Sequence, residues 1–275
     1  MSFTTADIVK LRKVTGAGMM DCKNALAEAE GNFDRALEII REKGKLVASK
    51  RVDREAAEGV VLAKVSGNSK VGAMVVLNCE TDFVAKNENF IAFAGSILNT
   101  ALENNAENLD VLKNMQIDGR TIEAQVIEQT GIIGEKIELS YYKKINAESV
   151  ITYIHPGNKL ATIVGFNKAG VEIQVAKDVA MQVAAMAPIA IDKDSVPAEM
   201  VEKELEIAKE KYRQEGKPET MLDKIAQGAL TKFFQEATLL NQTYVKDGKI
   251  SIREFLAQND KELTVTEFDR YSLNV

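Results

Sequence analysis

Few side chains in this 275-residue sequence could make or break a covalent bond: there is one histidine, His155, and there are two cysteines, Cys22 and Cys79. A cysteine nucleophile needs a base, so a thiol hydrolase requires His155 to meet one of those thiols in the fold. The alternative is that Cys22 is a core residue, unpaired cysteine being among the most buried residue types. Neither HExxH nor paired CxxC zinc ligation can be written from this set. No GxxxxGK[ST] phosphate loop occurs. Gly16-Ala17-Gly18 has Asp21 where a dinucleotide fingerprint needs its last glycine and no strand before it, so it reads as a turn between helices.

Three other constellations suit contact better than reaction. Thr81-Asp82-Phe83-Val84 puts an aromatic after a carboxylate where one strand has ended and the next helix has not begun. Asp82 could cap that helix with Phe83 folded into the core, or the pair could stand out as an exposed wedge. Met19 fits a buried helical stripe, whereas Met20 must face away from it, and an exposed flexible thioether suits an adaptable protein contact. His155 precedes Pro156-Gly157 at a hairpin tip, either as an ordinary loop residue or as a docking contact.

The elements that must position these residues are legible in the pattern. Residues 1–44 read as three short helices: Thr5 caps a segment bearing Ile8, Leu11 and Val14, then Met19, Cys22, Leu26 and Ala29 recur at helical spacing. Asn32 opens the third helix, with Phe33, Leu37 and Ile40 on one side and Gly44 at its end. The basic stretch from Lys43 to Arg54 reads as a solvated helical linker. Residues 1–56 carry 11 basic and 9 acidic side chains against 24 and 32 in the rest, so the sign of the charge changes near residue 56.

From Glu58 the period becomes two. A strand to Val65, a turn at Ser66-Gly67-Asn68-Ser69 and a strand from Val71 to Cys79 form a hairpin. About 90 residues on, Glu148 to Ile151, Pro156-Gly157-Asn158 and Leu160 to Asn167 repeat it, which points to an internal duplication. An amphipathic helix follows each hairpin, with Phe90, Phe93, Ile97 and Ala101 in one copy and Val175, Val179, Val183 and Met186 in the other. The first copy ends in a helix around Ile122 and Val126, a break at Gly131 to Glu135, and a strand with Ile137, Leu139 and Tyr141 on one face. The second carries an insertion at about 196–238, a helical hairpin with Val201, Leu205, Ala208 and Tyr212 on one arm and Leu222, Ile225, Ala229 and Phe233 on the other, turning at Gly216-Lys217-Pro218. It could project from the body or pack on a twin.

The expected architecture is therefore α+β, with a helical module and linker at 1–56, one core subdomain at 57–146 and a second, with its inserted hairpin, at 147–275. The composition, 45% hydrophobic and 28% charged, is that of a soluble globular chain. A net charge of −6 leaves no chain-wide basic field for nucleic acid. The longest apolar stretch, Val179 to Ile191, is interrupted by Gln182 and Pro188 and is too short for a membrane span. With two cysteines and no basic leader, a reducing cytoplasmic setting is expected.

Leu11-Arg12 followed by Thr15-Gly-Ala-Gly-Met-Met-Asp-Cys-Lys-Asn-Ala-Leu26, together with Leu77-Asn-Cys-Glu-Thr-Asp-Phe-Val-Ala-Lys86, resembles the bacterial translation elongation factor Ts family. The resemblance extends over the whole chain. It implies a nucleotide exchange factor with no bond-making chemistry and no cofactor of its own, which binds elongation factor Tu in its GDP-bound and nucleotide-free forms. By resemblance the first module is ubiquitin-associated-like, and Arg12, Met19, Met20 and Lys23 fall on positions that touch the partner's GTPase domain. Thr81 to Val84 falls on the wedge that enters beside the partner's nucleotide pocket through Asp82 and Phe83, disturbing its magnesium site. His155 and Val245 fall on contacts with the rest of the partner. The sequence departs from the family pattern at Pro156-Gly157-Asn158, where relatives commonly have glycine, a small residue and arginine, and at Lys246, where an apolar residue is usual.

Overall fold

Thr4 opens the first helix: its side chain accepts from Asp7 N, and Asp7 Oδ2 accepts from Thr4 N at 2.8 Å, so two end donors are satisfied reciprocally. The cap lies one residue before the expected Thr5, because Thr4 is the residue with an acid three positions on. The computed structural model, which describes residues 3–273, continues from there as helix α1 (Thr5–Thr15), α2 (Met19–Glu28) and α3 (Phe33–Ser49). Leu11, Cys22, Ala25, Leu26, Ala36, Ile39 and Ile40 bury against one another as the core of this module. Val14, expected on the inner stripe, is exposed.

The chain goes on through β1 (Glu58–Val65), β2 (Val71–Cys79), α4 (Asp82–Ala85), α5 (Glu88–Glu103), α6 (Leu109–Asn114), a small hairpin of β3 (Gln116–Ile117) and β4 (Arg120–Thr121), α7 (Ile122–Ile133) and β5 (Glu138–Asn146). The second copy supplies β6 (Ser149–Ile154), β7 (Leu160–Phe166), α8 (Ile173–Met186), α9 (Ala198–Gln214), α10 (Glu219–Ala237), α11 (Ile252–Asn259) and β8 (Val265–Ser272). Helices and antiparallel sheets are segregated, which is an α+β fold. Neither Gly44 nor Gly131 ends or breaks a helix as expected. Both lie within helices where α3 crosses α7, Gly131 in the last turn of α7, so closely that a Cβ on Gly131 would lie 2.0 Å from Gly44 Cα. The missing side chains let two backbones touch, and that contact fixes the helical module to the core.

Each hairpin gains a third strand, in the orders β1-β2-β5 and β6-β7-β8. The two sheets stack: Val61, Ala63, Met74, Val76 and Ile145 of one meet Val150, Ala161 and Ile163 of the other. α5 covers the outer face of the first sheet, and α8 with α11 covers that of the second. The layers are helix, sheet, sheet, helix. β2 is covered on both faces, which explains why eight of its nine residues are buried without alternation.

The duplication reappears as a near two-fold set of contacts. Ser69 and Asn158, at the two hairpin tips, both adopt a left-handed backbone. The carbonyl of Ser69 accepts from Val150 N, that of Asn158 accepts from Val61 N, and both bonds are 2.7 Å. Lys70 pairs with Glu148 at 3.1 Å, and Lys159 with Glu58 at 2.8 Å. Each middle strand has a register shift, between Val76 and Leu77 and between Gly165 and Phe166. The first shift leaves Ser140 as an extra residue, so Leu139 packs under α5 while Tyr141 turns into the gap between sheets. The expectation that these two share a face fails for that reason.

α9 and α10 fold back on one another, linked by Lys209–Asp223 and Arg213–Glu219 ion pairs. The buried stripe of α10 is Leu222, Ala226 and Leu230, with Ile225 and Ala229 only half-buried beside it. The hairpin is rooted in the body by Ile189 N to Ala237 O and Leu239 N to Ala190 O, both 2.9 Å.

Candidate partner-docking site

Phe83 is 83% exposed and lies in the four-residue helix α4, just after β2 ends at Cys79. The helix N-cap is Thr81, whose hydroxyl accepts from Val84 N at 3.4 Å; Asp82, the cap in one of the two sequence readings, occupies the first turn instead. There it pairs with Lys86 at 2.6 Å. That hydrogen bond holds the Asp82 carboxyl below the usual carboxylate range, and the nearby Lys159 charge acts in the same direction. A single helical turn has no cooperative reserve of its own, and within α4 only Ala85 is buried.

The turn is held from outside by two crossed carboxylates. Glu135 accepts from Thr81 N at 3.0 Å, Glu80 N at 3.2 Å and Thr81 Oγ1 at 2.7 Å. In return, Glu80 accepts from Lys136 N at 2.6 Å, Arg51 at 2.7 Å and Arg54 at 3.1 Å. These hydrogen bonds, that from Lys136 N foremost, hold the Glu80 carboxyl below its ordinary value. The basic stretch read as a solvated linker thus ends in two arginines bound to the segment that carries Phe83. Glu80 and Glu135 escape sequence reasoning because they lie 55 residues apart and resemble ordinary surface acids.

On the helical module Arg12, Met19, Met20 and Lys23 are all exposed. Met20, at 63%, faces outward as expected; Met19, at 38%, does so too, contrary to the expected buried stripe. The buried Ala17 occupies the end of the module core in its place. Between module and core runs a cleft of about 590 Å³, lined by Val14 and Gly16 on one side and by Phe90, Phe93 and Ile132 on the other, with Phe83 at its wall. The exposed tip of α1 and the Phe83 turn therefore border one recess, whose lining does not include Arg12, Met19, Met20 or Lys23.

His155 is exposed at the second hairpin tip, where its Nδ1 lies 2.9 Å from Tyr153 Oη and its backbone N donates to Leu160 O at 2.8 Å. The same tip reaches β1 through Asn158 and Lys159. Val245, 49% exposed, follows α10 and is presented by α8: its N donates to Gln182 Oε1 at 3.0 Å, and both its neighbours bind Asp178. Burial raises the Asp178 pKa, but hydrogen bonds from Lys246, Tyr244 and Gln174 outweigh it and the carboxyl stays below its usual range. Lys246 thus closes an ion pair with Asp178 that frames Val245.

The thiols do not suit nucleophilic work. Both are buried, and burial pushes Cys22 up and Cys79 up to about 12, so neither is a thiolate near neutral pH. Among the described residues no three His, Cys, Asp or Glu side chains converge to hold a metal ion, and no helix is long and apolar enough to cross a membrane.

The α+β body thus presents a clamped, solvent-facing phenylalanine next to a helical module with surface methionines. The family model for Elongation factor TS matches residues 80–274. The chain is 52% identical over 275 residues to Elongation factor Ts of Azobacteroides pseudotrichonymphae, all of both chains being covered. It is 51% identical to Elongation factor Ts of Porphyromonas gingivalis strain W83, over 100% of this chain and 99% of the relative. The identity to that of Christiangramia forsetii is 48%, over 98% of each. The chain belongs to the elongation factor Ts family.

Proposed function

We propose that this chain is the guanine-nucleotide exchange factor for elongation factor Tu and acts in the cytoplasm without bond-making catalysis. It binds Tu carrying GDP, loosens the nucleotide and leaves when GTP enters. The observation that carries this reading is Phe83, an aromatic ring exposed to solvent on a turn that the carboxylates of Glu80 and Glu135 hold in place. Asp82 and Phe83, flanked by Thr81 and Val84, enter beside the partner's nucleotide pocket and shift the segment that orders its magnesium ion. Magnesium demands near-ideal octahedral geometry, so a displacement of order 1 Å in its shell weakens both metal and phosphate.

In this reading residues 1–56 form a ubiquitin-associated-like module that docks on the partner's GTPase domain through Arg12, Met19, Met20 and Lys23. Core subdomains 57–146 and 147–275 carry the wedge and, in the second of them, His155 and Val245, which grip the rest of the partner. Docking at two ends gives the wedge leverage. No nucleic acid or membrane takes part, and the 196–238 hairpin is free to pair with a second copy. Factor and nucleotide must weaken each other's binding to the same degree, so the final nucleotide equilibrium is unchanged.

The test is release of a fluorescent GDP analogue from Tu in stopped flow with substoichiometric factor. Acceleration with turnover is expected; an unchanged release rate with folded factor and active Tu would contradict the proposal.

A further inference from the structure

The crossed carboxylates of Glu80 and Glu135 do more than close a loop. α4 has four residues and Phe83 makes little contact with the core, so neither helix cooperativity nor burial fixes the direction of its ring. Direction comes from the cap. Thr81 Oγ1 has one proton, which goes to Glu135 Oε1, and this turns a lone pair of the hydroxyl toward Val84 N. Glu135 Oε2 takes the two preceding backbone N–H groups, so one carboxylate sets both the entry of the chain into α4 and the polarity of its cap. Glu135 stands directly after Gly134, the left-handed end of α7, the helix that crosses α3 at Gly131. The turn bearing Phe83 is thereby tied to the helical module through one continuous element.

We infer that Glu135 is a positioning residue for nucleotide exchange, holding the Thr81 cap so that Phe83 meets the partner already oriented. The inference rests on the wedge reading above and extends it to a residue outside the wedge segment. Freeing the turn would require its ordering at each encounter, and one backbone residue ordered corresponds to about a tenfold loss.

The experiment is a double-mutant cycle on GDP release from Tu, measured at saturating factor with the full chain. Glu135→Ala is expected to lower the maximal release rate about tenfold in the wild-type background and less than about twofold in the Phe83→Ala background, because it acts through that ring. Glu135→Gln, which keeps an acceptor for the two N–H groups, is expected to restore most of the rate. Equal losses in both backgrounds would reduce Glu135 to a structural residue and overturn the inference, as would an undiminished rate for Glu135→Ala. If Glu135→Ala fails to fold, Thr81→Val removes the hydroxyl arm alone and is expected to lose about threefold, again only when Phe83 is present. A slow Phe83→Ala with a fast Glu135→Ala defeats the clasp and spares the wedge; a fast Phe83→Ala defeats the wedge reading and the clasp with it.

Discussion

A phenylalanine ring left open to water has little to do with folding, and Phe83 is the residue on which the exchange account turns. Its neighbours are arranged for display: Asp82 is occupied by Lys86, and Thr81 is occupied by Glu135 and Val84. Residue type alone, an aromatic after a carboxylate at a strand end, leaves a core ring and an exposed one both open, and the fold exposes it. Its support was not legible in the sequence, because Arg51, Arg54, Glu80, Glu135 and Lys136 come together only in the tertiary fold. The clasp predicts a pH dependence. The Glu80 carboxyl is held below its ordinary 4.5, so its contribution to stability is complete above that value and is lost as pH falls through the folded-state value. Urea unfolding of this protein alone should therefore show wild type exceeding Glu80→Gln most at about pH 7, with the gap closing as the pH falls below 4.5. A gap independent of pH would contradict the assignment.

Among elements, α3 and α7 carry the consequence that sequence reading inverted. Glycine commonly ends helices, but Gly44 and Gly131 instead serve a backbone contact between two helices distant in sequence. Gly131→Ala would drive a Cβ to 2.0 Å from Gly44 Cα and should destabilise by roughly 1–3 kcal/mol. Gly44→Ala meets its nearest atom at 3.6 Å and replaces a mid-helix glycine, so it should be neutral or stabilising by up to about 1 kcal/mol. Melting of the two variants side by side checks the geometry, and equal effects would refute it. The hairpins and their covering helices were readable because alternation and helical spacing are local. The bulge at Ser140, which sends Leu139 and Tyr141 to opposite faces, depends on pairing with β2 and leaves no local mark. α6 and the β3–β4 hairpin are too short for periodicity to register.

As a whole, the molecule is two three-stranded sheets of like strand order stacked back to back, with three N-terminal helices fixed to one side by a glycine crossing. The proposed wedge needs such a fixed crossing, since one on a loosely tethered body would yield to the partner instead of displacing it. The account requires metal to oppose the factor: raising magnesium from trace to saturating should reduce the stimulation of GDP release, and equal stimulation at both would count against a route through the partner's magnesium site. The most direct measurement is GDP release from Tu by Phe83→Ala, with melting of the variant recorded in parallel. An exposed ring contributes little to the fold, so stability should change by less than about 0.5 kcal/mol. Release should fall by about thirtyfold, as for an aromatic anchor worth roughly 2 kcal/mol in a partner pocket. A release rate equal to wild type, or one that falls only together with the melting temperature, would contradict the wedge.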